Sequence, residues 1–256
     1  SADQGFELGE RHLDWVQVNP LQARRFAEAS GTRAKTDAVD ARGLARMGAA
    51  LDLQAQRPVS ETVSVLRDLH VARTSLIKEK TRLRNRALVQ TLALLKRQTK
   101  ARLALVERQI AGLDAEIAAR IAQETPCARH RDILCSIPGL GPVTAAALLT
   151  FLPEIGALDR KHVASLAGLA PFTRQSGKWH GKSFIGGGRK PLRDALYMPA
   201  LVAMRFNPDL KAKYEQLRGA GKPAKVAIVA IMRKLIETAN ALVKADRFWT
   251  EKSACS

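Results

Sequence analysis

Between Glu61 and Glu124 the apolar residues fall three and four positions apart. Leu103, Val106, Ile110, Leu113, Ile117 and Ile121 form one such row, and Leu66, Leu69, Leu76 and Leu83 form another. Residues at that spacing share one face of an α-helix, so the pattern predicts two long amphipathic helices. Arg73 and Lys80 interrupt the second row, where a polar group can fix register or oligomer state. The polar stretch 96–100 is the expected joint. Together these features predict a long helical hairpin or coiled coil whose seam brings copies together as at least a dimer. Lys78, Lys80, Arg82, Arg84 and Arg86 give it a basic face, which is either a solvated surface or a track for phosphates.

Upstream, residues 15–20 read as a short strand ended by Asn19-Pro20, followed by a helix over 21–28; strand then helix is an α/β signature. Thr36 then stands where it can cap a helix carrying Asp37 and Asp40. Residues 1–14 show no clear period. Downstream of the hairpin, Pro138-Gly139-Leu140-Gly141-Pro142 leads into an Ala/Leu-rich helix, and residues 196–205 read as helical despite Pro199. Asn207-Pro208 breaks that run and starts another helix. Residues 219–223 form a turn before a final helix over 224–242, in which Val226, Ile228, Val229, Ile231 and Ile236 are the expected core residues.

Composition decides the class of partner. Lys and Arg number 42 against 24 Asp and Glu, a formal charge of +18, and the pI is about 10.5. Such a surface seeks a polyanion, with nucleic acid ahead of a membrane surface. Aromatic residues at 5% argue against a platform for stacking single-stranded bases. No run approaches the roughly 18 to 20 apolar residues of a membrane span, and no signal-peptide pattern opens the chain, so the expected location is the cytoplasm. Cys127, Cys135 and Cys255 are odd in number and lack metal-ligand spacing. They read as reduced thiols.

Candidate chemistry concentrates in residues 137–196. The Pro-Gly-Leu-Gly-Pro segment has the pattern of a helix-hairpin-helix turn, in which backbone N–H groups around Gly139 and Gly141 face a nucleic-acid phosphate; the plain alternative is a chain turn. Ser176-Gly177 reads as a polar loop between two helical segments, flanked by Arg174, Lys178, His180 and Lys182. A hydroxyl among cations suits phosphate chemistry, although Ser-Gly is also ordinary turn composition. Gly186-Gly187-Gly188-Arg189-Lys190-Pro191 supplies a flexible glycine run, two cations and a proline suited to a first helical turn, and otherwise reads as a linker. Asp37 and Asp40, three apart on one helix face, can offer carboxylates to one divalent cation, or simply complement a helix dipole.

Several of these segments carry a family resemblance. Ser136-Ile137-Pro138-Gly139, Ala167-Gly168-Leu169-Ala170-Pro171, Gln175-Ser176-Gly177, Gly187-Gly188-Arg189 and Leu192-Arg193-x-Ala195-Leu196-Tyr197-Met198 resemble the C-terminal domain of DEDD-type insertion-sequence transposases. Those enzymes are serine-dependent DNA recombinases guided by a bridge RNA. Val18-Asn19-Pro20, Gly31 and Lys35-Thr36-Asp37-x-x-Asp40-Ala41 resemble the closing motif of the family's RuvC-like nuclease domain. The resemblance implies Ser176 as nucleophile and Asp37 and Asp40 as the last two acids of a set of four holding Mg²⁺. It places the first aspartate and the glutamate of that set upstream of residue 1. DNA, a bridge RNA and a dimer or tetramer of this chain are the partners it implies. Arg174, Lys178, Lys182, Arg189 and Lys190, with Gly139 and Gly141, are the expected nucleic-acid contacts.

The expected fold is therefore mostly α. Residues 1–14 are unassigned, 15–58 form the C-terminal part of a RuvC-like α/β domain, 59–126 the hairpin or coiled coil, and 127–256 an all-α serine transposase domain with a helix-hairpin-helix. Two other readings stand beside the recombinase. One is a noncatalytic nucleic-acid-binding fragment built on the same parts, and the other is a junction-resolving nuclease, which would have no use for Ser176.

Overall fold

A computed structural model describes residues 16, 18, 20–31, 37–53, 60–173, 175–176, 179–180 and 183–251, with 37–39, 175–176 and 179–180 described by their backbone alone. The described residues are mostly α-helical. The chain divides into two compact units, residues 1–64 and 65–256.

In the first unit, α1 (Pro20–Ala29) and α2 (Asp37–Ala50) pack on one another. Proline opens α1 at a position where a missing N–H costs nothing, and Gly31 follows its end at φ +74°, the left-handed conformation that glycine adopts without strain. The expected strand over 15–20 lies largely outside the described residues; Val16 and Val18, which are described, carry no regular structure. Thr36 lies outside them too.

Most of α3 (Glu61–Val89) and all of α4 (Ala93–Gln123), the predicted pair of long helices, belong to the second unit. They turn at residues 90–92, not at 96–100, which belong to α4. Lys, Arg and Gln are good helix formers and that stretch contains neither Gly nor Pro, so nothing there stops a helix. The turn itself, Gln90-Thr91-Leu92, has no turn chemistry to betray it. The two polar interruptions do fix register. Arg73 forms a two-point contact with Asp114, and Glu107 takes Lys80 at 2.8 Å and Arg84 at 3.2 Å. These pairs make the hairpin antiparallel.

Both rows of the seam are used inside the chain. Leu83, Val106 and Ile110 bury one another with Leu76 and Leu103, while Leu66, Ile117 and Ile121 enter the main core. The periodicity is explained without a second copy, so it does not by itself supply the expected dimer interface.

The remaining helices are α5 (Thr125–Cys135), α6 (Pro142–Phe151), α7 (Arg160–Leu166), α8 (Lys190–Phe206), α9 (Pro208–Gly219) and α10 (Ala224–Lys244). They gather around α10, which packs against α8, α9, α7 and α5. Of the expected core residues of α10, Ile228, Ile231 and Ile236 are buried and Val229 packs partly buried against the same core, joined by Leu235. Val226 is the exception, at 52% exposed in the first turn. Complete burial of each such aliphatic side chain contributes roughly 1.5 to 3 kcal/mol. Asn207 caps α9 by accepting from the Leu210 N–H, with Pro208 in the first turn as expected. Buried Glu237 is neutralised by Arg160 at 2.6 Å and Arg233 at 2.8 Å. Cys127 and Cys135 are free, half-buried thiols packed against the core. Burial, reinforced by Glu124, pushes Cys127 up to about 11, which keeps it an inert thiol.

Candidate functional site

Between α7 and α8 the described residues form two short antiparallel strand pairs, together called the ribbon below, where the sequence reads as a polar loop. Its lower rungs are β1 (Pro171–Phe172) and β4 (Phe184–Ile185), paired antiparallel as Pro171 with Ile185 and Phe172 with Phe184. The two phenylalanine rings meet across these strands at 6.1 Å. Its upper rungs are β2 (Gln175–Ser176) and β3 (Trp179–His180), paired as Gln175 with His180 and Ser176 with Trp179. Two residues separate the ladders on one side and three on the other, so their registers differ by one. Strands of two residues are too short to produce an alternating pattern, which is why the sequence conceals them. Ser176 is the last paired residue before Gly177-Lys178, and a two-residue connection containing glycine is a favoured hairpin length. His180 stands opposite Gln175, so it is not the residue paired with Ser176.

The root of the ribbon is a crossing of two glycines. Gly168 at φ +65° and Gly188 at φ +63° both need the left-handed region. A Cβ on Gly188 would lie 2.3 Å from the Gly168 nitrogen, and one on Gly168 would lie 2.4 Å from the Gly187 oxygen. The glycine run is thus fixed by contact where a flexible linker is expected. Arg193 ties the two sides together by donating from Nη1 to the Gly187 oxygen at 2.9 Å and the Gly168 oxygen at 3.3 Å. The Arg189 N–H donates to the Leu166 oxygen at 2.7 Å.

Arg189 and Lys190, predicted as phosphate contacts, both sit at this root. The Arg189 guanidinium donates to both Glu154 carboxylate oxygens at 2.7 Å and to the Phe151 carbonyl at 2.9 Å. Burial, the largest single influence, would raise the Glu154 carboxyl, but the Arg189 hydrogen bond, a backbone hydrogen bond and the charges of Arg189 and Arg67 together hold the group below its ordinary value. Half-buried Arg67 stands in the field of this pair and is lowered by its own burial and by the Arg189 charge. Lys190 is well exposed and pairs with Asp194 one turn along α8, an arrangement of small energetic value that leaves the ammonium available to solvent.

At the α5–α6 turn the two predicted glycines have different roles. Gly139, at φ +102°, lies against α8: a Cβ there would meet the Ala203 Cβ at 2.7 Å and the Pro199 oxygen at 2.9 Å. Gly141 caps α6 at φ −94° with open space where a side chain would be. Behind it Pro142 has no N–H, and the amides of Val143 and Thr144 belong to the first turn, where no intrahelical acceptor exists. Gly141 can therefore let a phosphate approach these amides, whereas Gly139 shapes the turn that presents them.

Asp37 and Asp40 occupy the first turn of α2, and Asp40 is exposed. Two hard carboxylate oxygens suit Mg²⁺ in kind, but among the described residues no group of three or more His, Cys, Asp or Glu could enclose a metal. These residues fit part of a magnesium site. Arg174, Lys178 and Lys182 lie outside the described residues. Glu154 and Arg193 were not among the predicted residues. Their signal is conformational, because a positive φ at paired glycines and a bidentate anchor are visible only once the ribbon closes.

Residues 131–215 match the family model described as Transposase IS116/IS110/IS902 family. Residues 6–98 match a second model described as Transposase, of the DEDD type. The pilin gene-inverting protein of Moraxella bovis is 35% identical over 240 residues, covering 90% of this chain and 72% of that protein. The insertion element IS110 43.6 kDa protein of Streptomyces coelicolor is 32% identical over 122 residues, 47% of this chain and 30% of that protein. The insertion element IS900 42 kDa protein of Mycobacterium paratuberculosis is 31% identical over 150 residues, 55% and 37% respectively.

Proposed function

Because this chain belongs to the IS116/IS110/IS902 transposase family, we propose that it breaks and rejoins DNA strands with the Ser176 hydroxyl as nucleophile. Asp37 and Asp40 contribute to a Mg²⁺ site, and an RNA made by the element selects the target by base pairing. The observation that carries this reading is the position of Ser176, paired beside the short turn of a β-ribbon whose root is locked at Gly168 and Gly188. Ser176 Oγ attacks a backbone phosphorus; the Oγ–P bond forms as one ester P–O bond of the strand breaks, the serine proton passes to solvent, and the departing sugar oxygen takes up a proton to leave as a free hydroxyl. A hydroxyl of ordinary acidity needs help to do this. Bound Mg²⁺ supplies neutralisation of charge on the phosphoryl oxygens.

The rest of the work falls to positioning. Arg174, Lys178, Lys182 and Lys190 hold the DNA backbone beside Ser176, and the amides behind Gly141 take a further phosphate. Arg189, whose donors go to Glu154 and Phe151, anchors the ribbon instead. By resemblance, the serine domain of one copy meets the acidic domain of another, so at least a dimer acts. The similarity to a protein described as inverting a gene supports DNA rearrangement as the outcome.

The test incubates the chain with Mg²⁺ and labelled element-end DNA and resolves the products on a denaturing gel. A covalent protein–DNA adduct is expected, lost in Ser176→Ala and Asp37→Asn while both variants still bind DNA. An adduct that survives Ser176→Ala overturns the serine mechanism, and DNA binding with no adduct at all favours the noncatalytic reading.

A further inference from the structure

We propose that the apex of the α3–α4 hairpin is a second DNA-binding element: its cations grip the backbone of a duplex while Leu88, Val89 and Leu92 press into the minor groove. The inference rests on this chain acting on DNA but uses none of the residues of the proposed serine site.

The apex is built unlike the rest of the molecule. Beyond Leu83 on α3 and before Val106 on α4, Thr99 is the only buried residue of the two helices. Among the described residues nothing covers the apolar side chains there. Leu88 is 84% exposed, Val89 79%, Leu92 64% and Leu94 56%, and among the described residues no other exposed large apolar side chain exceeds Leu88 or Val89. A contiguous apolar surface of this kind marks an interaction site.

Charge identifies the occupant. Residues 78–102 contain nine Lys and Arg and a single acid, Glu79. Lys80 and Arg84 are paired with Glu107. Lys78, Arg82, Arg86, Lys96, Arg97 and Lys100 are exposed and make no ion pair among the described residues. The antiparallel register places the last turns of α3 beside the first turns of α4, so both sets of cations surround the same leucines. A second copy of the apex would bring like charge against like charge, whereas a phosphodiester duplex neutralises the cations and releases its own counterions. Apolar wedges set among cations are how proteins engage the minor groove, partly unstacking a base step as they enter.

The experiment is a fluorescence-anisotropy titration of the whole chain with a labelled mixed-sequence DNA duplex at several salt concentrations. Arg82→Gln/Arg86→Gln/Lys100→Gln should reduce the log–log salt slope by about 2.7, at about 0.9 per phosphate contact. Leu88→Ser/Leu92→Ser should leave the slope unchanged but weaken binding by roughly tenfold, through lost apolar burial. It should also abolish the rise in 2-aminopurine emission that wild type produces in a duplex carrying that base. All substituted residues are exposed, so the melting temperature should hold. An unchanged salt slope in the triple variant overturns the proposal. So does a leucine variant that binds DNA normally but dissociates a self-associated free protein, which would make the apex a surface for a second copy. Failure of wild type to bind any duplex would count against the proposed function itself.

Discussion

The two ends of the α3–α4 hairpin are written in the same residues and have opposite fates. At the root, Leu66, Ile117 and Ile121 lie in the main core, and His70 packs its ring 5.4 Å from Phe151. At the apex, leucines of equal hydrophobicity face solvent. Helical spacing says which residues share a face. It does not say how far the helices run past the body that covers them, and that distance separates stabilising leucines from leucines available for binding.

The contrast is broken most sharply by truncating a root residue. Ile121→Ala should cost about 4 kcal/mol in a urea titration, through lost burial and the cavity left behind; a cost near zero would mean the root is as loosely covered as the apex. Acid should act at the root next. Burial, followed by Arg73, lowers His70 to about 4, and a backbone contact at Ala146 and the Asp114 charge oppose the shift only in part. Its neutral form is favoured in the fold, so the unfolded chain binds the extra proton between about pH 6.5 and 4. The resulting contribution is fully present above pH 6.5 and is lost as pH falls to 4, by about 3 kcal/mol. Comparing His70→Phe with wild type across that window should flatten this part of the profile.

Midway along the hairpin, Arg73→Ala removes the partner of Asp114 and should cost about 1 kcal/mol, read as a shift in the urea midpoint without a change in slope. The smallest effect belongs to the apex, where Leu88→Ala should change stability by less than about 0.5 kcal/mol. A larger loss at Leu88 would show that the apex is packed and erase the contrast.

The helices were legible because their signals are local and repeated. Asn207-Pro208 marked the α8–α9 break, and the three-four rows marked α3 and α4. The hairpin turn was misplaced because a joint without glycine or proline leaves no trace in composition, whereas the cations of 96–100 resemble a loop and are good helix formers. In the candidate site, the glycines and cations were legible as types, but their roles were not. Gly139 and Gly141 look alike in sequence and differ in what lies above them: α8 against one, open space over the other. Arg189 reads as a free cation until Glu154, 35 positions away, is brought to it. Long-range pairing of that kind has no local signature.

The crossing of Gly168 and Gly188 has a consequence for how such chains can diversify. The polypeptide leaves the helical body and re-enters it at nearly the same point, so the excursion between them spans no distance that its length must match. Closing a flexible loop costs only about 0.6 kcal/mol more for each doubling of its length. The ribbon is therefore a cassette: its length and sequence can be exchanged between the two glycines while α7 and α8 keep their seats, whereas a single methyl group added at Gly188 would collide with the Gly168 backbone and prise the seat apart.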